Sequence, residues 1–256
     1  MVAAATVNAQ TTWGIKAGFN SSTYKIGVEG VSLKADLGNN YGYYGGVVGC
    51  APLSNSFGLQ FELLYVLDGT RFAVQGSKID KVMAMMEEPA LGLDNLAASL
   101  NMHNVRLPLM LKYKTDAGLA VMAGPYVSYT AAVKLKGNST IKKLYNDAMG
   151  EDAAELPFSK IESVLSDIVK DNINKLDVGA SFGVEYQFTG GFFIDARYSF
   201  SFFNTLTKKY DLSSITSAFP AEPGDLDSFK GNWTDMIGVR PKLKYSAFQI
   251  GIGVRF

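Results

Sequence analysis

The chain has 256 residues with 24 basic and 24 acidic side chains, so its formal net charge is zero. That balance argues against a dedicated nucleic-acid binder, which needs a basic face. The chain has no run of 18 apolar residues, which excludes a helical membrane span, and its single cysteine excludes an intrachain disulfide and a paired-cysteine metal site.

The N-terminus has the composition of an export signal. Residues 1–9 are small and mostly apolar, and Val7-Asn8-Ala9 matches the small-x-small pattern that precedes a cleavage site. We therefore expect residues 1–9 to be the remainder of such a signal and residues 10–256 to form one domain in the envelope. An ordinary N-terminal extension is the alternative.

Apolar residues alternate with polar or small ones along seven segments, with the period of two that a two-faced β-strand requires. In chain order these segments are 13–20, 57–67, 105–113, 119–133, 178–188, 191–203 and 248–256. An eighth segment, 41–53, is strand-like but rich in glycine, and its pattern leaves its two faces undecided. Several segments reach about ten residues, the length of a tilted bilayer crossing.

The links between these segments alternate in length. Short links at 54–56, 115–118 and 189–191 carry the Gly, Asn and Asp residues that tight turns need. Long links occupy 21–40, 68–104, 134–175 and 204–242. This arrangement predicts an all-β fold: an eight-stranded antiparallel up-and-down transmembrane β-barrel with short periplasmic turns and long, partly helical extracellular loops.

Two of the long links carry apolar residues at helical spacing. One helix is predicted within 78–102, broken near Pro89, and a second at 159–173. Ser159 and Glu162 match the capping-box pattern at the start of the second helix. We interpret both helices as packing on each other or on the barrel mouth, and a lid or partner-docking surface is the functional alternative.

Charged residues recur on the strand faces that would line the lumen. An eight-stranded barrel is just wide enough for side chains to fill it, and buried charges need partners. We therefore predict a structural salt-bridge network that plugs the barrel, formed by Lys16, Glu62, Arg106, Lys112, Glu185, Asp195, Arg197 and Arg255. The alternative is a proton path or substrate site built from Glu62, Glu185 and Asp195, since neighbouring carboxylates can support acid–base chemistry.

The opposite faces of the strands are apolar, as contact with lipid requires. Aromatic residues gather at strand ends on the predicted short-turn rim, where a membrane interface is expected. These residues are Trp13, Phe57, Tyr113, Phe188, Phe192 and Phe256.

Motifs of catalysis, nucleotide binding and metal binding are missing from the sequence. It contains no GxSxG, HExxH or P-loop pattern, and no nucleophile motif accompanies its single histidine, His103. The acidic stretch 225–227 lacks the spacing of a calcium loop. We expect no enzymatic activity, no cofactor and no metal site, and we expect Cys50 to be a small buried or lumen-facing residue.

Four segments resemble strands of the outer-membrane β-barrel family that includes the PorT-like proteins. Residues 58–65 read GLQFELLY, where the family often has GLQPELLY, and 105–114 resembles its IPLLLKYK strand. Residues 123–127 resemble an AGPY strand and 193–198 a DARY strand. The final Phe256 is similar to the C-terminal signal that the barrel-assembly machinery reads.

The resemblance implies an outer-membrane barrel of a Gram-negative bacterium, with lipid around it, periplasmic termini and the assembly machinery as a partner during biogenesis. It implies no single activity. Our leading hypothesis is a non-enzymatic protein that binds a protein or surface ligand through its long extracellular loops, or that stabilises the membrane. The alternatives are a transport component (a narrow channel or a PorT-like secretion subunit), a barrel enzyme acting on lipid or peptide, and a soluble ligand-binding β-barrel.

Overall fold

The computed structural model describes residues 10–28, 37–74, 95–154, 156–203, 205 and 241–256. Eight antiparallel strands follow chain order around a closed barrel, in which β8 pairs with β1. The strands are β1 (Thr12–Val28), β2 (Leu37–Pro52), β3 (Phe57–Val74), β4 (Leu96–Lys114), β5 (Leu119–Gly137), β6 (Leu176–Gln187), β7 (Phe192–Ser201) and β8 (Pro241–Arg255). The predicted eight-stranded up-and-down barrel is confirmed, whereas the predicted export remnant 1–9 lies outside the described residues.

Alternation divides each strand between lipid and lumen. In β4, Val105, Leu107 and Leu109 are exposed on the outer wall, while the alternate residues Arg106 and Met110 are buried. The predicted faces of the other alternating segments match the structure in the same way, with outward residues exposed or half-buried and inward ones mostly buried. The apolar row is therefore the surface that meets lipid.

The structure determines the faces of β2, which the sequence left undecided. Its register with β1 and β3 directs Tyr44 and Val48 into the lumen and Tyr43 outward. Tyr44 crosses the lumen so closely that a Cβ on Gly18 would lie 2.7 Å from its ring, and one on Gly251 would collide with its hydroxyl. Glycines on β1 and β8 thus make room for this ring.

The short links form tight turns at one end of the barrel, which we call the short-turn rim. Gly118, Gly190 and Gly191 have φ angles of 82°, 86° and 86° in these turns, a conformation that glycine adopts without a steric penalty. The six predicted aromatic residues are exposed near this rim, and the rings of Phe57 and Tyr113 lie 5.1 Å apart.

Strands extend further into the long links than predicted. β1 continues to Val28, β3 continues to Val74, and β4 begins at Leu96. The predicted helix within 78–102 is wrong from Leu96 onward, and its residues 78–94 lie outside the described part of the chain. Leu96, Ala97 and Leu100 fit a helical spacing, but backbone pairing with β3, and with β5 from Ala98 onward, places this segment in the barrel wall.

Two helices lie between β5 and β6, at the opposite end of the barrel, which we call the helical rim. They are α1 (Ser139–Met149) and α2 (Phe158–Asp171), with a 3₁₀ turn (Gly150–Ala154) between them. α2 confirms the predicted helix at 159–173, whereas α1 was not predicted. No helix within the described residues is long and apolar enough to cross a membrane.

The predicted capping box of α2 is wrong. The helix begins one residue earlier, after Pro157, and has no side-chain cap. Glu162 instead faces β5, where its Oε1 accepts a hydrogen bond of 2.7 Å from the Gly137 amide. Ser166 Oγ accepts a second, of 2.8 Å, from the Leu135 amide. β6 starts opposite Tyr129, so α2 supplies hydrogen-bond partners where β5 continues beyond its neighbouring strand.

Candidate functional site: the barrel lumen

The lumen holds three layers of polar contacts between the two rims. The lower layer, nearest the short-turn rim, comprises Gln60, Lys112, Glu185 and Arg255. The middle layer comprises Lys16, Tyr44, Glu62, Asp195 and Arg197. The upper layer comprises Asn20, Asp68, Asn104, Arg106 and Tyr245. All of the predicted lumen residues therefore lie inside the barrel, distributed over these layers.

Glu185 is the centre of the lower layer. Its two carboxylate oxygens accept hydrogen bonds of 2.7 Å from Nη1 and Nη2 of Arg255, and Lys112 Nζ lies 2.5 Å from Oε1. Gln60 Oε1 accepts a further bond of 3.0 Å from Arg255, whose guanidinium lies 4.1 Å from the centre of the Phe193 ring. This bidentate, stacked geometry is the one that arginine forms best.

The middle layer contains two cations and two carboxylates. Arg197 donates to both oxygens of Glu62 at 2.9 and 2.8 Å. Lys16 Nζ lies 2.9 Å from Asp195 Oδ2 and 3.7 Å from Glu62 Oε1, and the three side chains are fully buried. Arg197 also reaches Asp195 at 3.2 Å, which closes a ring of four charges drawn from β1, β3 and β7.

Asp68 is the centre of the upper layer, and the sequence analysis missed it. Its oxygens accept hydrogen bonds from Asn20 at 2.7 Å, Asn104 at 2.8 Å, Arg106 at 2.7 Å and Tyr245 at 2.7 Å. Asp68 itself is fully buried. The Arg106 guanidinium is also stacked between the rings of Tyr126 and Tyr245, 4.7 and 5.0 Å from their centres.

An apolar cluster lies above the upper layer. Its buried members are Tyr24, Leu100, Met102, Tyr126, Val133, Ile173, Tyr245 and Ala247. Val169 of α2 packs against this cluster, so the helix contributes to filling the mouth at the helical rim. Side chains thus occupy the lumen from the lower layer to α2.

The charges of the lumen are engaged with one another. The three layers hold four carboxylates and five cations, each within hydrogen-bond distance of a partner. A buried charge costs several kcal/mol when it has no partner. Glu62, Asp195 and Glu185 each face two cations.

Cys50 borders the lower layer, and His103 lies outside the lumen. Cys50 is free and half-buried, and it lines a cavity of about 320 Å³ at the short-turn rim. His103 lies on the outward row of β4, and its Nδ1 is 2.6 Å from Tyr65 Oη. Within the described residues, no group of three His, Cys, Asp or Glu side chains is arranged to hold a metal ion.

Comparison with known proteins returns solved structures of outer-membrane proteins at low identity. Ail, the attachment invasion locus protein of Yersinia pestis in complex with the heparin analogue sucrose octasulfate, is 12% identical over 96% of this chain and 99% of its own, with a TM-score of 0.42. Neisserial surface protein A is 10% identical over 96% and 99%, with a TM-score of 0.44. OprG from Pseudomonas aeruginosa is 11% identical over 97% of both chains, with a TM-score of 0.39.

No curated protein sequence matches the chain. A family of proteins matches the chain from β1 to the end of β7. Residues 8–207 match the outer membrane protein beta-barrel domain, and the chain therefore belongs to this family of outer-membrane proteins of Gram-negative bacteria.

Proposed function

We propose that this protein is a non-enzymatic outer-membrane barrel with a sealed lumen, which acts as a binding or structural protein through its long extracellular loops. The filled lumen is the observation that carries this proposal. Three layers of paired charges and an apolar cluster lie in series along the barrel axis. A protein of this build has its accessible surface in the loops and on the outer wall.

Energetics argue against conduction through this lumen. A water-filled path would require the ion pairs of each layer to separate. Each layer holds at least one close pair of opposite charges, and three layers would have to open together. The narrow-channel hypothesis therefore finds no support among the described lumen residues, and a secretion-apparatus role would have to operate through partner contacts outside the lumen.

The proposed orientation places the short-turn rim in the periplasm. The helical rim, with α1 and α2, then faces the exterior. The ends of β1, β3 and β7 that lead into the other long links lie at that same rim, so all of the long links emerge on one side. Loops on a rigid scaffold are where binding functions concentrate. Phe256, at the short-turn rim, is then available to the assembly machinery in the periplasm.

Planar-bilayer recording tests the sealed lumen. The purified wild-type barrel should give no conductance steps. A variant in which Lys16, Glu62, Asp195 and Arg197 are all replaced by serine removes the charges of the middle layer without changing the net charge. It should also give no conductance steps, because the lower layer, the upper layer and the apolar cluster remain in series with it. Conductance steps in the wild-type protein would contradict the proposal, because they would show an open path through the lumen.

A further inference from the structure

Three cationic side chains lie on the outer wall near the helical rim. Ser99 of β4 pairs with Arg71 of β3 on one side and with Lys136 of β5 on the other, and Asn101 pairs with Lys134. Paired residues of antiparallel strands point to the same face. Two strand spacings, about 10 Å, separate the Cα atoms of Arg71 and Lys136. We call Arg71, Lys134 and Lys136 the cationic patch.

A β-bulge in β5 turns the two lysines outward. Asn104 pairs with Thr130 and His103 with Ala132, so Ala131 is the extra residue. Before the bulge, even-numbered residues of β5 point into the lumen, and after it they point outward. Without the bulge, Lys134 and Lys136 would add two unpaired cations to the apolar cluster at the mouth.

The cationic patch has no counterion in the part of the chain that the structure describes. Among the described residues, Arg71, Lys134 and Lys136 form no ion pair, in contrast to the cations of the lumen. The polar neighbours between them are neutral: Asn101 accepts a hydrogen bond of 2.7 Å from Asn40. All three cations are exposed. With respect to the described residues, the patch can therefore bind an anion.

The depth of the cationic patch matches that of lipid headgroups. Outward residues of β4 are apolar or aromatic from Tyr113 to Val105, which spans about 21 Å for a rise of about 3.4 Å per residue and a tilt of about 40°. Exposed tyrosines, including Tyr43 and Tyr65, lie at the upper end of this span, where Tyr65 pairs with Val105, as expected at a lipid–water interface. The patch lies about 6 to 11 Å beyond an apolar band of about 25 Å, where the polar headgroups begin.

We propose that the cationic patch binds the phosphate group of a lipid in the outer leaflet. A guanidinium fork and two ammonium groups supply the donors that a phosphate accepts. The acyl chains of the same molecule would contact the apolar wall directly below the patch. A free phosphate ion has no acyl chains and cannot make this contact. The choice of leaflet rests on the orientation proposed above, but the binding itself does not.

Native mass spectrometry of the barrel in nanodiscs tests this site. The discs contain phosphatidylcholine with a small fraction of diphosphoryl lipid A, and the measurement is the amount of lipid A that stays bound to the released protein. The Lys134→Gln/Lys136→Gln variant should bind lipid A about 20- to 30-fold more weakly, since each cation near an anionic lipid contributes about fivefold. Inorganic phosphate should not displace the lipid.

The matched control removes two lysines elsewhere. Lys142 and Lys143 are exposed on α1 and belong to no strand of the barrel wall, and their replacement by glutamine should leave lipid A binding unchanged. Equal binding by the wall variant and the wild type would overturn the proposal, as would equal loss in the α1 control or equal binding of dephosphorylated lipid A. The assay in nanodiscs does not depend on which rim faces the cell exterior. A negative result would therefore contradict the lipid site without bearing on the proposed orientation or loop function.

Discussion

Replacing Glu62 with leucine tests whether the middle layer stabilises the barrel. Glu62 accepts two hydrogen bonds from Arg197 and one of 2.6 Å from Gln60, and Lys16 lies 3.7 Å away. Without Glu62, Lys16 and Arg197 face only the Asp195 carboxylate in a layer without solvent. Breaking a buried pair in this way costs about 3 to 5 kcal/mol. We expect the equilibrium constant for folding to fall by about two to four orders of magnitude.

Urea unfolding in lipid vesicles, followed by tryptophan fluorescence and by gel mobility of unboiled samples, measures this loss. The matched control is Glu62→Leu/Arg197→Met, which removes both partners and leaves the Lys16–Asp195 pair in place. Replacing a whole buried pair by apolar residues is often neutral or stabilising, so the double variant should recover most of the stability. The reasoning is refuted if Glu62→Leu unfolds at the wild-type urea concentration, or if the double variant is no more stable than the single one.

Three further predictions concern the wall, the helix and the C-terminus. Ile252 is 68% exposed on the outer wall, and Ile252→Arg should lower stability in lipid by about 2 to 4 kcal/mol; unchanged unfolding would argue against a lipid-facing position. Ser166→Ala removes the acceptor for the Leu135 amide and should cost about 1 to 3 kcal/mol in the same unfolding assay, whereas Ser159→Ala, at an exposed position on α2, should cost little. Phe256→Ala should reduce the amount of folded barrel in cells without changing refolding into detergent, and a loss in both would assign Phe256 a role in stability instead of assembly.

Much of the barrel could be predicted because strand alternation is encoded locally. A run such as Val105, Leu107 and Leu109 identifies its lipid face without knowledge of any other strand. The glycine-rich strand β2 lacks this signal, because the positions of its glycines depend on rings from other strands. Gly49 is one such position, because a Cβ there would lie 2.3 Å from the ring of Phe61 on β3, and this contact exists only once the two strands have paired.

Two errors came from taking local patterns as strand and helix boundaries. Asp68 continues the inward-facing row of Glu62, Leu64 and Val66 in β3. Because Leu64 and Val66 are apolar, this row does not look like a polar lumen face, and the predicted strand ends at Leu67. Extending the alternation of β3 would have found Asp68. The segment around Leu100 shows the opposite case. Its apolar residues have helical spacing, but the segment is a strand that pairs with β3 and β5.

The sequence alone does not predict which charged residues pair with one another inside the lumen. Which charged residues face inward follows from alternation, but which cation meets which carboxylate depends on strand register and barrel stagger. Arg197 and Glu62 are 135 residues apart in the chain. α1, in contrast, had a readable signal that was overlooked: Asn138 caps it, with Oδ1 accepting from the Ile141 amide at 3.1 Å.

Labelling of single cysteines in intact cells tests most directly the claim that the barrel spans the outer membrane with its helical rim outside. In a Cys50→Ser background, cysteine replaces Asn146 on α1 or Asn55 in the turn between β2 and β3, both of which are exposed. A membrane-impermeant maleimide should label Asn146→Cys on intact cells, and Asn55→Cys only after the outer membrane is opened. Labelling of Asn55→Cys but not Asn146→Cys on intact cells would contradict the orientation, and labelling of neither after opening would contradict the exposure of both rims.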